Sequence, residues 1–331
     1  VFSPVQRNSA GIAVLLAVCC ILPFIVRPYQ LDFLIFMFIN IILVVSYRLI
    51  AITGEFSLSH AVIMGVGGYA SALLTLHLPI SAWISMPLGG VAAALIAYVL
   101  SFPLFRMKGF YFLIGSFAAA EAIRLCWVQF ISPFGGYRGL RRIPVLELDL
   151  GDFLYIDLGA PVPYYFFALI IGLIFLVIMY RIEHSRFGFV FHAVHHKDML
   201  AQSVGVNARR YRTIAFVTGG FFAGIAGAMV THYITAINPG LFGLKTMLFI
   251  LVWVLVGGLG SFAGPILGVV VLSVIDESFR GLDELRPAFY GLILIVTMLF
   301  LPDGLVSLPT KVTQWVNWLR KRDAGDIPKR E

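Results

Sequence analysis

The sequence predicts an all-α polytopic membrane protein with about ten transmembrane helices. Three observations lead there. Of 331 residues, 60% are hydrophobic and only 12% charged, against roughly 45–50% and about 25% in soluble domains. The apolar residues come in continuous runs: 60% of 331 is about 199 positions, which at about 20 residues per crossing makes roughly ten spans. Lys and Arg gather in alternate connections between the runs, the pattern of a multi-pass chain under the positive-inside rule. An outer-membrane barrel would show short alternating strands instead. The hydrophobicity excludes disorder, and no connection is long enough for a sizeable soluble domain. Cys19, Cys20 and Cys126 all lie in apolar runs, so they read as small buried hydrophobes, neither a disulfide framework nor a CxxC metal site. The net charge of +7 reads as cytoplasmic loops, not as a nucleic-acid surface.

The spans fall at about 10–27, 31–50, 57–77, 83–105, 110–131, 163–182, 211–235, 243–258, 262–279 and 287–301. The first contains Leu16-Ala17-Val18-Cys19, close to a lipoprotein cleavage box. Val18 is too large for that box and no A-x-A follows, so the segment reads as a retained helix. Gly257 and Gly258 leave the eighth and ninth spans hard to separate. Two longer connections stand out, 132–162 and 183–210. The stretch 181–212 carries Arg181, Arg186, Lys197, Arg209, Arg210 and Arg212, and the tail carries Lys311, Arg320, Lys321, Arg322, Lys329 and Arg330. Arg106 and Lys108 flank a third turn of the same set. The opposite set carries Glu147, Asp149, Asp152 and Asp157, then Asp276, Glu277, Asp283 and Glu284; Arg138, Arg141 and Arg142 depart from the rule. The expected organisation is a transmembrane domain over 1–310, with 132–162 external and 183–210 cytoplasmic, and a basic cytoplasmic tail over 311–331.

His192-x-x-His195-His196 has the spacing of one histidine box of membrane di-iron enzymes, where neutral imidazoles hold iron. The chain has seven histidines, and His60, His77, His184 and His232 form no second box, so a solvated, partly cationic loop is the better reading. Gly243-Leu244-Lys245-Thr246 ends like a phosphate loop, but Leu244 stands where the motif needs Gly. Gly220 and Gly224, then Gly260, Gly264 and Gly268, are spaced to let helix backbones approach. Polar residues at membrane depth are costly and therefore functional candidates. Thr53-Gly54-Glu55-Phe56-Ser57-Leu58-Ser59-His60 opens the third span, where free N–H groups and the helix dipole can hold a carboxylate. Glu121 and Arg124 share one helix face at i, i+3 and can neutralise each other. Asn238-Pro239-Gly240 reads as an ordinary turn.

Three stretches then belong together. The first is Gly54-Glu55-Phe56-Ser57-Leu58-Ser59-His60-Ala61 with Gly65, Gly67, Gly68, Tyr69 and Ala70. The second runs from Ser185-Arg186-Phe187-Gly188 through His192-Ala193-Val194, Ala201 and Gly205-Val206-Asn207 to Ala223-Gly224-Ile225-Ala226-Gly227-Ala228. The third is Val256-Gly257-Gly258-Leu259-Gly260-Ser261, Gly264-Pro265-Ile266-Leu267-Gly268, Tyr290-Gly291 and Leu301-Pro302-Asp303-Gly304-Leu305. Together they resemble the LivM-type permease subunits of branched-chain amino acid ABC importers, in order from about 30 to 306.

The resemblance implies an ABC importer permease architecture in a bacterial inner membrane. It also implies a second, LivH-like permease subunit, two ATP-binding cassette subunits carrying the ATP and Mg, and a periplasmic substrate-binding protein. No cofactor is expected on this chain, and no nucleic acid. It further implies that 187–206 is a coupling segment docking on an ATPase, with His192, Ala193, Val194, Asp198, Ala201 and Gly205 as docking residues. Glu55, Ser57, Ser59, His60, Glu121 and Arg124 are the candidates for the substrate pathway. The chain departs from the family where Ser59 replaces a Gly, at His195-His196-Lys197, and at Phe134-Gly135-Gly136-Tyr137-Arg138-Gly139. Cargo therefore stays open between branched-chain or related amino acids, urea or short amides, and aromatic or other carboxylates. Alternating access driven by partner ATPases is the expected mechanism. A histidine-dependent membrane oxidoreductase and a gated channel are the rivals.

Overall fold

The computed structural model describes residues 17–78, 80–149, 155–278, 286–301 and 304–307. The basic tail, the residues before 17 and the acidic stretch around Asp283 and Glu284 lie outside them, as does the opening part, 10–16, of the first predicted span. The second to tenth predicted spans each correspond to a helix: α1 (Pro28–Ala51), α2 (His60–His77), α3 (Ala82–Leu104), α4 (Phe110–Gln129), α5 (Pro161–Glu183), α8 (Ala208–Ile234), α9 (Leu244–Gly257), α10 (Ala263–Ser278) and α11 (Arg286–Phe300). Between α5 and α8 come two short helices, α6 (Arg186–His196) and α7 (Asp198–Ser203). Among the described residues six helical segments are long and apolar enough to cross a membrane: α1, α3, α4, α5, α8 and Pro239–Gly257. The glycine-rich α2 is outside that set, and its first two turns are buried among the other helices. A helix wrapped by protein does not need the apolar surface that lipid demands.

Local chemistry sets the helix ends. Pro28 opens α1, where a missing N–H costs nothing, and the Gln30 Oε1 accepts from the Arg27 N–H at 3.0 Å. Asn207 caps α8 by accepting from the Arg210 N–H at 3.1 Å, and Thr235, at φ 58°, ends it in the left-handed region. Asn238 is more than a turn residue. Its Oδ1 accepts from Gly240 N–H at 2.9 Å and starts a short 3-10 helix, Pro239–Phe242.

Residues up to Leu244 form one compact unit and those from Lys245 a second. In the first, α8 packs on α1, α2 and α3. A side chain at Gly67 of α2 would run into the backbone of Gly224 on α8, and one at Gly227 into the Met64 carbonyl. At Gly220 a Cβ would lie 2.9 Å from the Ala97 Cβ of α3. Gly220 and Gly224 therefore do pack helices together. In the second unit, Gly264 and Gly268 of α10 abut the backbone of α9 at Gly257, Gly258 and Trp253. Gly260 does not share that role: it lies in the turn before α10, with open space where a Cβ would be. The helical period that would align it with Gly264 starts only at Ala263. Cys20 and Cys126 are exposed on the outer surface, not buried.

The connections of the first unit fall at two opposite ends. At one, Lys108 Nζ lies 3.4 Å from Asp198 and Arg212 Nε 3.4 Å from Glu55, joining the α1–α2, α3–α4 and α5–α8 connections. At the other, β1 (Leu140–Arg141) pairs antiparallel with β4 (Ala236–Ile237), Leu140 facing Ile237. There β2 (Glu147–Asp149) and β3 (Tyr155–Asp157) form a second antiparallel ribbon. Trp83 Nε1 donates to the Glu147 carbonyl at 2.8 Å, binding this ribbon to the start of α3. Successive connections thus alternate ends.

Gly67→Val should lower membrane yield and cost about 3 kcal/mol or more, since backbone blocks the added methyls. Gly260→Ala should leave both yield and melting temperature unchanged. Expression in membranes and thermal unfolding in mild detergent check the pair.

Candidate functional site

The site builds from the end that carries α6 and α7. Ser185 Oγ accepts from the Phe187 N–H at 3.2 Å and caps α6. Gly205, at φ 85°, turns the chain after α7, and the Val206 N–H returns to the Ala201 carbonyl at 3.0 Å. Val194, Ala201 and Ala208 close a small core of their own, flanked by Val190 and Val206. Outside that core the layer exposes several large apolar side chains: Phe189 is 74% exposed, Met199 79% and Val204 75%, and Leu200 and Phe187 are exposed as well. The predicted loop around His192 is therefore a pair of packed helices. Of the docking candidates, Ala193 and Gly205 are exposed and His192 and Asp198 half-buried. Val194 and Ala201 point inward and are buried.

Two charge clusters hold this layer to the bundle. Arg212 of α8 stands between Glu55, at 3.4 Å, and Asp198, at 3.6 Å, and Lys108 approaches Asp198 from the α3–α4 turn. Lys108, Asp198, Gln202, Arg209 and Arg212 line a cavity of about 490 Å³ there. Burial pushes the Glu55 carboxyl up, against the lowering pull of Arg212. Burial also opposes charge at Asp198, but the Gln202 amide, Arg212 and Lys108 together bring it below its ordinary range. The second cluster is drier. Arg48 Nη2 donates to Glu183 Oε1 at 2.8 Å, with 1% and 7% of the two side chains exposed, and His192 Nε2 lies 3.8 Å from the same oxygen.

The pathway candidates separate into two places. Ser57, Ser59 and His60 are buried at the head of α2. There Ser57 Oγ and Ser59 Oγ lie 2.7 Å apart, the Leu58 N–H donates to Ser116 Oγ at 2.9 Å, and His60 Nε2 bonds Ser46 Oγ at 2.9 Å. The expected free N–H groups are thus partly occupied: hydroxyls take those of Leu58 and Ser59. Glu121 and Arg124 lie apart from these, on α4. They pair with each other through both carboxylate oxygens, Arg124 Nε donating to Oε2 at 2.9 Å. At about 1.5 Å per residue, Glu121 stands near mid-span of a helix from Phe110 to Gln129, the least buried of the span-length helices. The histidines scatter. His232 bonds Ser71 Oγ and the Pro144 carbonyl at the opposite end from His60. Among the described residues no three His, Cys, Asp or Glu converge as a metal set.

Sequence reasoning passed over Arg48, Glu183, Phe189, Met199 and Val204. Arg48 did carry a signal, being the one charge between Asp32 and Glu55, in a run where charge is expensive.

An apolar helical bundle with two sets of connections and several span-length helices is the architecture of a multi-pass membrane protein. The chain belongs to the family described as branched-chain amino acid transport system, permease component, which matches residues 29–301. It is 25% identical over 321 residues to the high-affinity branched-chain amino acid transport system permease protein LivM of Escherichia coli K12, covering 91% of this chain and 76% of that one. The LivH permease of the same organism is 26% identical over 130 residues, 39% of this chain and 42% of that one. The ribose import permease RbsC of Haemophilus influenzae is 25% identical over 132 residues, 38% of this chain and 39% of that one. No solved structure matches.

The two carboxylates titrate with opposite sign. Asp198 contributes stability above its unfolded pKa and loses it as pH falls through its depressed folded value. Glu55 contributes below its unfolded pKa and loses this as pH rises through its raised value. Asp198→Asn should therefore cost about 1–2 kcal/mol at neutral pH and nothing in acid, whereas Glu55→Gln should be neutral or stabilising near pH 7. Thermal unfolding between about pH 4 and 7 reads both.

Proposed function

We propose that the chain is one half of a heterodimeric pore in an ATP-driven importer, translocating branched-chain or related amino acids by alternating access. The carrying observation is the exposed apolar face of Phe189, Met199, Leu200 and Val204, outside every span-length helix. A patch of that kind marks a protein contact. Its position among Arg106, Lys108, Arg186, Lys197, Arg209 and Arg210 supports a cytoplasmic location for it. The partner is an ATP-binding cassette subunit, one of two, and those subunits bind the ATP and Mg. A LivH-like permease completes the pore and a periplasmic binding protein delivers cargo at the β1–β4 end.

The Glu121–Arg124 pair supports α4 as the helix facing the shared pathway. Ionisable groups at mid-membrane face protein or a water-filled cavity rather than hydrocarbon, and among the described residues α4 is the least buried of the span-length helices. The buried Ser57, Ser59 and His60 contribute as an inner gate, reached when α2 moves. The similarity to LivM, a branched-chain amino acid transport permease, supports amino acids as cargo. Ser59 and the Phe134 to Gly139 loop keep urea, short amides and other carboxylates as the second reading.

Ala193→Glu, on the exposed face of α6, should abolish ATP-dependent uptake and lower ATPase recovery at least about tenfold, the effect of about 1.4 kcal/mol or more, while membrane yield stays at wild type. Uptake equal to wild type would remove the docking assignment. Purification in gentle detergent with mass spectrometry should recover a second permease and two ATPases. Solute flux without ATP would mean a channel, and recovery of an electron-donor protein an oxidoreductase.

A further inference from the structure

We infer that the buried Arg48–Glu183 ion pair is the positioning link that carries movement of α6 into the centre of the helix bundle. The inference rests on the docking reading of α6 and α7. Arg48 lies in the last turns of α1, where every residue from Ile41 to Ala51 is buried. A charge pair is a poor choice there if stability is the only demand. Well-packed apolar side chains of similar volume do as well or better, because two ions must be taken out of water. The pair is also incompletely satisfied. Arg48 Nε, Arg48 Nη1 and Glu183 Oε2 are buried without a hydrogen-bond partner among the described residues. An arrangement costly in this way and seated between two helices fits a mechanical role.

The connections on either side make it a transmission element. Glu183 is the last residue of α5, and Gly188 of α6 sits so tightly against the Glu183 carbonyl that no Cβ fits between them. His192, a turn further along α6, faces the same carboxylate. Glu183 therefore moves with α6. On the other side, one half-turn before Arg48, Ser46 Oγ bonds His60 at the head of α2. The Ser46 carbonyl abuts Gly219 of α8, where a Cβ would come within 2.7 Å. A displacement of α6 thus reaches α1, and through Ser46 the head of α2, by one 2.8 Å bond, while α8 is met directly at Ala208 and Tyr211. The Glu55–Arg212–Asp198 cluster is looser, at 3.4 and 3.6 Å, and Asp198 is open to solvent on one side. It anchors α7 without gripping it.

The test uses the assembled importer purified from membranes, with Cys19, Cys20 and Cys126 replaced by serine. Spin labels go at Ser203 on α7 and at Leu78, beyond the far end of α2; both positions are exposed. In the unaltered pair, ATP with vanadate should shift the Ser203–Leu78 distance distribution. Arg48→Met alone should depress yield, because it leaves a buried carboxylate unpaired. Arg48→Met with Glu183→Leu should restore yield and ATPase recovery, keep basal ATP hydrolysis within about twofold, and lose at least half of the shift. A full shift in the paired variant would overturn the inference, and so would its failure to assemble, which would make the pair an assembly element only. If the unaltered chain recruits no ATPase, the docking reading falls instead, and that result is visible before any variant is made.

Discussion

The backbones of α2 and α8 meet at Gly67 and Gly224 with no room for a side chain on either. The placement of α1, α3 and the α6–α7 layer follows from that contact. Between membrane helices there is little hydrophobic gain from association, so close van der Waals approach and a few hydrogen bonds must hold them. Gly90 on α3 and Gly227 on α8 extend the same seam, and Ser71, Ser85 and His232 stitch its far end with hydrogen bonds. The head of α2 and the start of α8 reach the α6–α7 layer together.

That layer is built on a different principle. Its own core is small, limited to Val190, Val194, Ala201, Val206 and Ala208. Ion pairs of graded burial do the fixing. The outermost, Lys108 with Asp198, is mostly in water and contributes little. The innermost, Arg48 with Glu183, is almost dry and is strongly destabilising to break. The gradient leaves the exposed face of Phe189 and Met199 adjustable at its rim and firmly tied at its root.

The two sides of the first unit thus carry separate tasks. The α6–α7 end offers an apolar surface in a basic setting, suited to a partner that moves. On α4, Glu121 and Arg124 balance each other at mid-span, so the helix tolerates an apolar surround. The β1–β4 end is capped by short ribbons held through Trp83 and His232, a stiff platform facing away from the docking layer.

Much of this was legible in the residues. Hydropathy is a sum over neighbours in the chain, so the boundaries of α1, α3, α5 and α8 could be read within a few residues, and the Lys and Arg of 106–108 and 181–212 marked two connections that share an end. The Glu121–Arg124 pair was legible because the helical period brings i and i+3 together without help from other segments. What the sequence could not determine is which face of each helix meets another helix. Gly224 and Gly260 look alike in sequence, yet one is pressed against a neighbour and the other stands in an open turn. Val194 and Ala193 are adjacent, and only packing turned the first inward. Arg48 and Glu183 are separated by 135 positions, and no local pattern links them. Their meeting depends on how α1 and α5 pack around a shared centre, a property of the assembled bundle.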